Sequence, residues 1–221
     1  MSIIEGLFNV FAPHECLRCG SEGSLLCDGC LVSLDKVPAR CYVCLRWSDG
    51  FLTCKPCRAK SPLFSVAAAV PYGDTAKELL RQLKYHRAKA GAEVAARALA
   101  GACPAGEDIV ISHIPTAQSR VRQRGYDQAL LIAKSLSQRL GRPYVPLLAR
   151  MGDQRQVGHS RITRLNQMEG AFRPLNTMIL KNRHVLLVDD VLTTGATCEA
   201  AARILRSNGA KRVSAAVFAV A

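Results

Sequence analysis

The sequence predicts an α/β protein: a parallel sheet clothed by helices, with a small cysteine-rich module ahead of it. Three observations carry this. Residues 185–188 (VLLV) form a continuous apolar run, as a strand buried on both faces requires, and a helical run over 198–208, stopped by Gly209, follows it. Apolar runs at 64–72, 109–114 and 212–220 alternate with further helical stretches. Eight of the ten cysteines fall in four C-x-x-C pairs, all before residue 60.

A chain of 221 residues holds one ordinary α/β domain plus a small accessory module. The composition shift divides it into residues 1–60 and residues 61–221. No apolar run approaches the roughly 18 residues that cross a bilayer, so no membrane insertion is expected. Residues 6–13 (GLFNVFAP) are apolar but few, and Glu5 precedes them where an export signal carries basic residues. The expected location is cytoplasmic.

The cysteine pairs are Cys16/Cys19, Cys27/Cys30, Cys41/Cys44 and Cys54/Cys57. Two thiolates on one tight knuckle reach a single tetrahedral zinc, and two knuckles complete its shell. Eight cysteines therefore supply two structural Zn²⁺ sites. Sequential pairing (first knuckle with second, third with fourth) and interleaved pairing both satisfy the spacing. Disulfides would need an oxidising compartment, and a redox-active C-x-x-C would occur once. Residues 14–60 contain too few apolar side chains to fold without metal, and His14 reads as solvent-facing.

A polar linker over 59–62 leads into the strand at 64–72. Asp74 then caps a helix running to about Tyr85, basic toward its end with Arg81, Lys84, His86, Arg87 and Lys89. These cations suit the negative end of a helix dipole as well as they suit a ligand. Residues 91–102 form an alanine-rich helix, and Cys103 and Cys198 read as small buried side chains. Pro115 ends the strand at 109–114, in which His113 reads as a packed residue. The next stretch, 116–128 (TAQSRVRQRGYDQ), reads as a loop that presents Arg120, Arg122, Arg124 and Gly125 before a helix over about 126–140. Guanidinium groups at the carboxyl edge of a parallel sheet grip pyrophosphate bidentately.

Charge is uneven. Residues 1–60 carry seven Lys/Arg against six Asp/Glu, and residues 61–221 carry twenty-three against eleven, so +1 and +12 make the total of +13. Residues 119–173 alone hold eleven basic and three acidic side chains. Such an excess attracts phosphate-rich partners, either a small pyrophosphate compound or a nucleic-acid backbone.

The chain is organised around the end of the 185–188 strand. Asp189 and Asp190 stand where that strand should stop, and Thr193, Thr194, Gly195 and Thr197 turn into the helix. A strand, a turn and a helix in this order gather backbone N–H groups and a positive dipole end around one point, which captures phosphate. Gly195 lets the backbone come close to a ligand. Paired carboxylates accept hydrogen bonds from ribose hydroxyls and can share Mg²⁺ with the ligand.

The string Asp189-Asp190-Val191-Leu192-Thr193-Thr194-Gly195-Ala196-Thr197 resembles the phosphoribosyl-pyrophosphate (PRPP) binding motif of type I phosphoribosyltransferases. That resemblance implies that Asp189 and Asp190 face the ribose and that Thr193 to Thr197 hold the 5′-phosphate. The cysteine head, the proline-ended strand and Arg124-Gly125-Tyr126-Asp127-Gln128 narrow the resemblance to the ComF family, whose signature reads R-G-[F/Y]-N-Q. Gln156, Ser160, Arg164, Ala171 and Phe172 match a further stretch of it. Asp127, His159 and Gln167 stand where Asn, Leu and Asn are usual, and Asp127 adds a negative charge near the expected anion site.

The resemblance implies a parallel sheet of type I phosphoribosyltransferase topology behind a double zinc module, with PRPP or a phosphoribosyl compound and Mg²⁺ as ligands. In a working transferase, pyrophosphate would leave C1 through an oxocarbenium-like transition state stabilised by the two aspartates. Residues 144–173, with a helix over 160–170, would form a basic connection over the site. Family association with competence implies handling of single-stranded DNA during natural transformation and contacts to DNA-uptake proteins. Two other readings stand beside it: a transferase with an unspecified acceptor and no DNA role, and a PRPP-sensing regulator that performs no chemistry.

Overall fold

The computed structural model describes residues 14–85, 89–104, 106, 108–151 and 170–221. The apolar stretch 6–13, His86 and Arg87, the matches from Gln156 to Gln167 and nearly all of the expected helix over 160–170 lie outside them.

Four strands form the main sheet: β1 (Val66–Pro71), β2 (Ile109–His113), β5 (His184–Leu192) and β6 (Arg212–Val220), in the order β1-β6-β5-β2 and all parallel. A two-stranded antiparallel pair, β3 (Leu148–Arg150) and β4 (Phe172–Pro174), stands apart from it. The helices of the larger region are α3 (Asp74–Tyr85), α4 (Ala90–Ala100), α5 (Gln118–Arg124), α6 (Gln128–Leu140) and α7 (Ala196–Ser207). Two short helices, α1 (Asp28–Val32) and α2 (Lys55–Arg58), belong to the cysteine module.

Successive strand side chains point to opposite faces, so a strand covered on both sides must be apolar throughout. In β5, Leu186 and Val188 join a core shared with Leu79 and Leu83 of α3, Leu99 of α4 and Leu136 of α6. Val185 and Leu187 join the opposite core, with Cys198, Ala201 and Leu205 of α7 and Phe172 of β4. The continuous apolar runs follow directly from this double cover.

The cysteine module grips the edge of the sheet at β1. Leu25 and Leu26 enter the first core, while Tyr42 and Val37 pack against the second. Between them the chain pairs along the edge: Thr53 N donates to Phe64 O at 2.9 Å, and Leu52 forms an antiparallel bridge with Ser65. An unpaired sheet edge is thereby covered.

Three expectations need correction. β5 does not end at Val188; its ladder with β6 continues to Leu192↔Val220, and that pairing overrides the low strand preference of aspartate. Arg120, Arg122 and Arg124 lie on a helix, not in a loop, because 118–124 is rich in good helix formers and Gly125, at φ 84°, closes the last turn by donating to Val121 O at 2.8 Å. Cys103 is half-buried, whereas Cys198 is fully buried as expected.

Candidate functional site

β2 stops at His113, paired with Val188, and Ile114 N donates to Val188 O at 2.9 Å. β5 runs on beside β6 alone. Asp189 and Asp190 therefore sit where one flanking strand has ended, at the carboxyl edge where open α/β sheets form ligand crevices. Asp190 N donates to Asp189 Oδ1 and Val191 N to Asp190 Oδ1, both at 2.8 Å. Burial, with the neighbouring Asp190 charge, pushes the Asp189 carboxyl well above the ordinary range.

Asp190 Oδ2 is ion-paired with Lys84 near the end of α3, with side chains 12% and 20% exposed. At that burial the pair is structural as well as electrostatic. Lys84 is the residue that helix-end reasoning left undecided, since its position in sequence carries no sign that α3 ends against β5. Arg124 approaches the same helix end. It is buried, its guanidinium lies 5.5 Å from the Tyr85 ring centroid, and it donates to Gln128 Oε1 at 2.8 Å. Tyr126 donates to Leu83 O. Arg120 and Arg122 are exposed on α5.

Beyond Leu192 the chain turns through Thr193 and Thr194, both exposed, to Gly195. The first bond of α7 is Glu199 N to Gly195 O at 2.9 Å, so the N–H groups of Thr197 and Cys198 have no acceptor within the helix. Ala196 N meets Thr194 Oγ1 at 3.4 Å. These groups stand at the positive end of a twelve-residue helix.

Gly195 has φ 77°, and a Cβ there would meet Tyr42 Cε2 at 3.2 Å. The close approach it permits is that of the cysteine module. Tyr42 stands inside the third knuckle, touches Ser61 Oγ and donates to Glu199 Oε1 at 2.8 Å. Sequence reasoning missed this residue, because nothing in a C-Y-V-C knuckle points to a helix more than 150 residues away.

Asp127 is fully occupied by structure. It caps α6 by accepting from Ala129 N and Leu130 N, and it accepts from Thr116 N at 2.7 Å and Thr116 Oγ1 at 3.0 Å. The extra charge that departs from the family signature is thus spent on a helix N-terminus. His113 is buried, as expected, with Nδ1 2.9 Å from the Tyr144 hydroxyl; burial lowers its pKa, and Asp127 opposes that shift.

The cysteines gather as Cys16, Cys19, Cys27 and Cys30 in one cluster and Cys41, Cys44, Cys54 and Cys57 in the other, each with all Sγ atoms within 4.8 Å of one another. The pairing is sequential. Two sulfurs on a tetrahedral zinc at the usual bond length lie about 3.8 Å apart. Cys19 and Cys27 are 3.7 Å apart and Cys44 and Cys54 3.6 Å, far beyond a disulfide bond. Burial opposes ionisation of Cys16, but backbone N–H donors from Cys27, Cys19 and Arg18 lower its thiol to about 6. Arg46 lowers Cys44 to about 6. The donor sets fit two zinc ions; His14 is half-buried and outside both clusters.

A family model for the phosphoribosyl transferase domain matches residues 127–220. Competence protein ComFC of Bacillus subtilis (strain 168) is 27% identical over 199 residues, covering 83% of this chain and 79% of the relative. DNA utilization protein YhgH of Escherichia coli (strain K12) is 26% identical over 225 residues, covering 91% and 94%. Over most of its length the chain is thus similar to proteins named for competence and DNA utilization, and it carries a phosphoribosyl transferase domain. Its sheet and helices are a phosphoribosyltransferase fold behind a module with two Cys₄ clusters. Similar solved structures include the glutamine PRPP amidotransferase of B. subtilis, at 18% identity and TM-score 0.41, where the match covers 57% of this chain and 25% of the other. Another is the Thermus thermophilus protein TT1426, at 23% identity and TM-score 0.34, covering 58% and 72%. No helix among the described residues is long and apolar enough to cross a membrane.

Proposed function

We propose that this protein binds PRPP or a related phosphoribosyl compound with Mg²⁺ at the carboxyl edge of β5, and handles single-stranded DNA during DNA uptake, as its likeness to ComFC and YhgH supports. The observation that carries the first half is the placement of Asp189 and Asp190 past the end of β2, directly before the open turn and first N–H groups of α7. The 5′-phosphate takes the N–H groups and hydroxyls of Thr193, Thr194 and Thr197, with Val191, Leu192, Gly195 and Ala196 shaping the backbone. The ribose hydroxyls donate to Asp189 and Asp190. Hard carboxylate oxygens suit Mg²⁺, which when bound supplies charge neutralisation for the pyrophosphate. Lys84 neutralises Asp190 in the free protein and is placed to meet the pyrophosphate charge when ribose hydroxyls replace it at the carboxylate.

The names of the relatives, together with the excess of thirteen positive charges, support the DNA half. A calorimetric titration with PRPP, with and without Mg²⁺, tests the first half: micromolar binding that Asp189→Asn with Asp190→Asn abolishes supports it, and equal binding by the two proteins refutes it. Release of pyrophosphate in the presence of candidate acceptors then separates a transferase from a PRPP sensor.

A further inference from the structure

We propose that the edge of the sheet opposite the acidic pair is a track for the phosphodiester backbone of single-stranded DNA. This placement rests on the DNA half of the function proposed above. A cleft of about 460 Å³ lies between residues 61–64, the start of β6 and the last turns of α7. Five cations line it, Arg58, Arg203, Arg206, Lys211 and Arg212, and no carboxylate does.

Two of these cations are held in place by one ring. The guanidinium of Arg58 lies 4.6 Å, and that of Arg212 4.5 Å, from the centroid of Phe64. Arg58 is fixed further by donating to Thr53 O at 3.2 and 3.0 Å. Ordering a guanidinium before binding removes part of the entropy cost of gripping a phosphate.

The cations continue in a line. Lys211 N donates to Arg183 O at 2.9 Å and Lys181 bridges Ala210, so exposed Lys181 and Arg183 extend the strip beyond the cleft along the same edge. Arg183 pairs with Asp108 at 3.4 Å and Arg203 with Glu199 at 3.0 Å, both with half-exposed side chains. The cysteine module, the approach to β5, α7 and β6 each contribute. A line of positive charge from separate segments matches a chain of repeating phosphates better than one small anion. Along β5, Asp190 lies six residues beyond His184, roughly 20 Å from this edge, so the two ligands need not compete.

The test is fluorescence anisotropy of labelled oligothymidylate across a sodium chloride series. Lys211→Gln with Arg212→Gln should weaken binding at least tenfold and reduce the slope of log K against log salt by about 1.4, two contacts at about 0.7 each. Lys211→Arg with Arg212→Lys keeps both charges and should keep the slope, which separates lost contacts from lost structure. PRPP titrations of both variants should match the wild type. An unchanged slope in the double Gln variant overturns the placement, as does a drop confined to Arg120→Glu with Arg122→Glu. Displacement of the oligonucleotide by inorganic triphosphate at equal phosphate concentration would assign the cleft to small anions instead. Failure of the wild type to bind oligothymidylate removes the DNA half altogether, while the PRPP titration reads the other half independently.

Discussion

The Tyr42 hydroxyl donates to Glu199 Oε1 at 2.8 Å, joining the second cysteine cluster to the first turn of α7. The cluster and the proposed phosphate loop are therefore one mechanical unit. Tyr42→Phe removes a hydrogen bond to a carboxylate and should cost about 1.5–3 kcal/mol in chemical denaturation. Gly195→Ala, which combines a left-handed backbone with a close contact to the same ring, should cost at least as much. Hydrogen exchange over 193–199 should accelerate in both.

Metal analysis should find two zinc ions per chain. Cys44→Ser should leave one, because the clusters share no ligand. Loss of the second zinc frees Tyr42, so PRPP affinity should fall in this variant although no proposed ligand contact has changed. Unchanged affinity would disconnect the knuckle from the loop.

Lys84→Ala leaves Asp190 buried without its cation. The expected loss is on the order of 3 kcal/mol of stability, largely recovered when Asp190→Asn is added. PRPP affinity should fall about tenfold in the single variant. A double-mutant cycle with zero coupling would show that the ion pair contributes nothing.

Asp189 carries a raised pKa through burial and the adjacent Asp190 charge. Mg²⁺ and ribose hydroxyls favour its ionised form, so binding should release a proton and affinity should rise with pH across the acid range. Titrations in buffers of different ionisation enthalpy measure the proton count; a value of zero contradicts this linkage.

His184 packs edge-on against Phe64, 5.9 Å between centroids, with Nε2 2.8 Å from Ser214 Oγ. Burial, then the Arg212 charge, lowers its pKa to about 4. A histidine kept neutral in the fold stabilises it above its unfolded pKa, and that contribution is lost as pH falls from about 6.5 toward 4. His184→Gln should flatten the stability profile in that window, as read by urea denaturation at several pH values.

Periodicity and spacing settled much of this from the chain alone. Continuous apolar runs mark strands covered on both faces, which is why 212–220 is a strand over its full predicted span. Four C-x-x-C pairs specify two Cys₄ clusters because thiolates at that spacing have few other uses. Asp-Asp before Thr-Thr-Gly marks the strand-to-helix turn, since such a turn is built from contiguous residues.

Other features depended on distant segments meeting. Sequential pairing of the cysteine knuckles was decided by how they fold onto the β1 edge. β5 outlasts its apolar core because β6 keeps pairing with it after β2 has stopped. Asp127 became a cap because Thr116 and the first N–H groups of α6 converge on its carboxylate. Lys84 beside Asp190, Tyr42 on Gly195, and Phe64 holding Arg212 all join residues far apart in the chain. Local sequence encodes torsion preference and burial periodicity, which are short-range; the partner of a charged or aromatic side chain is set by which surfaces the packed core brings together.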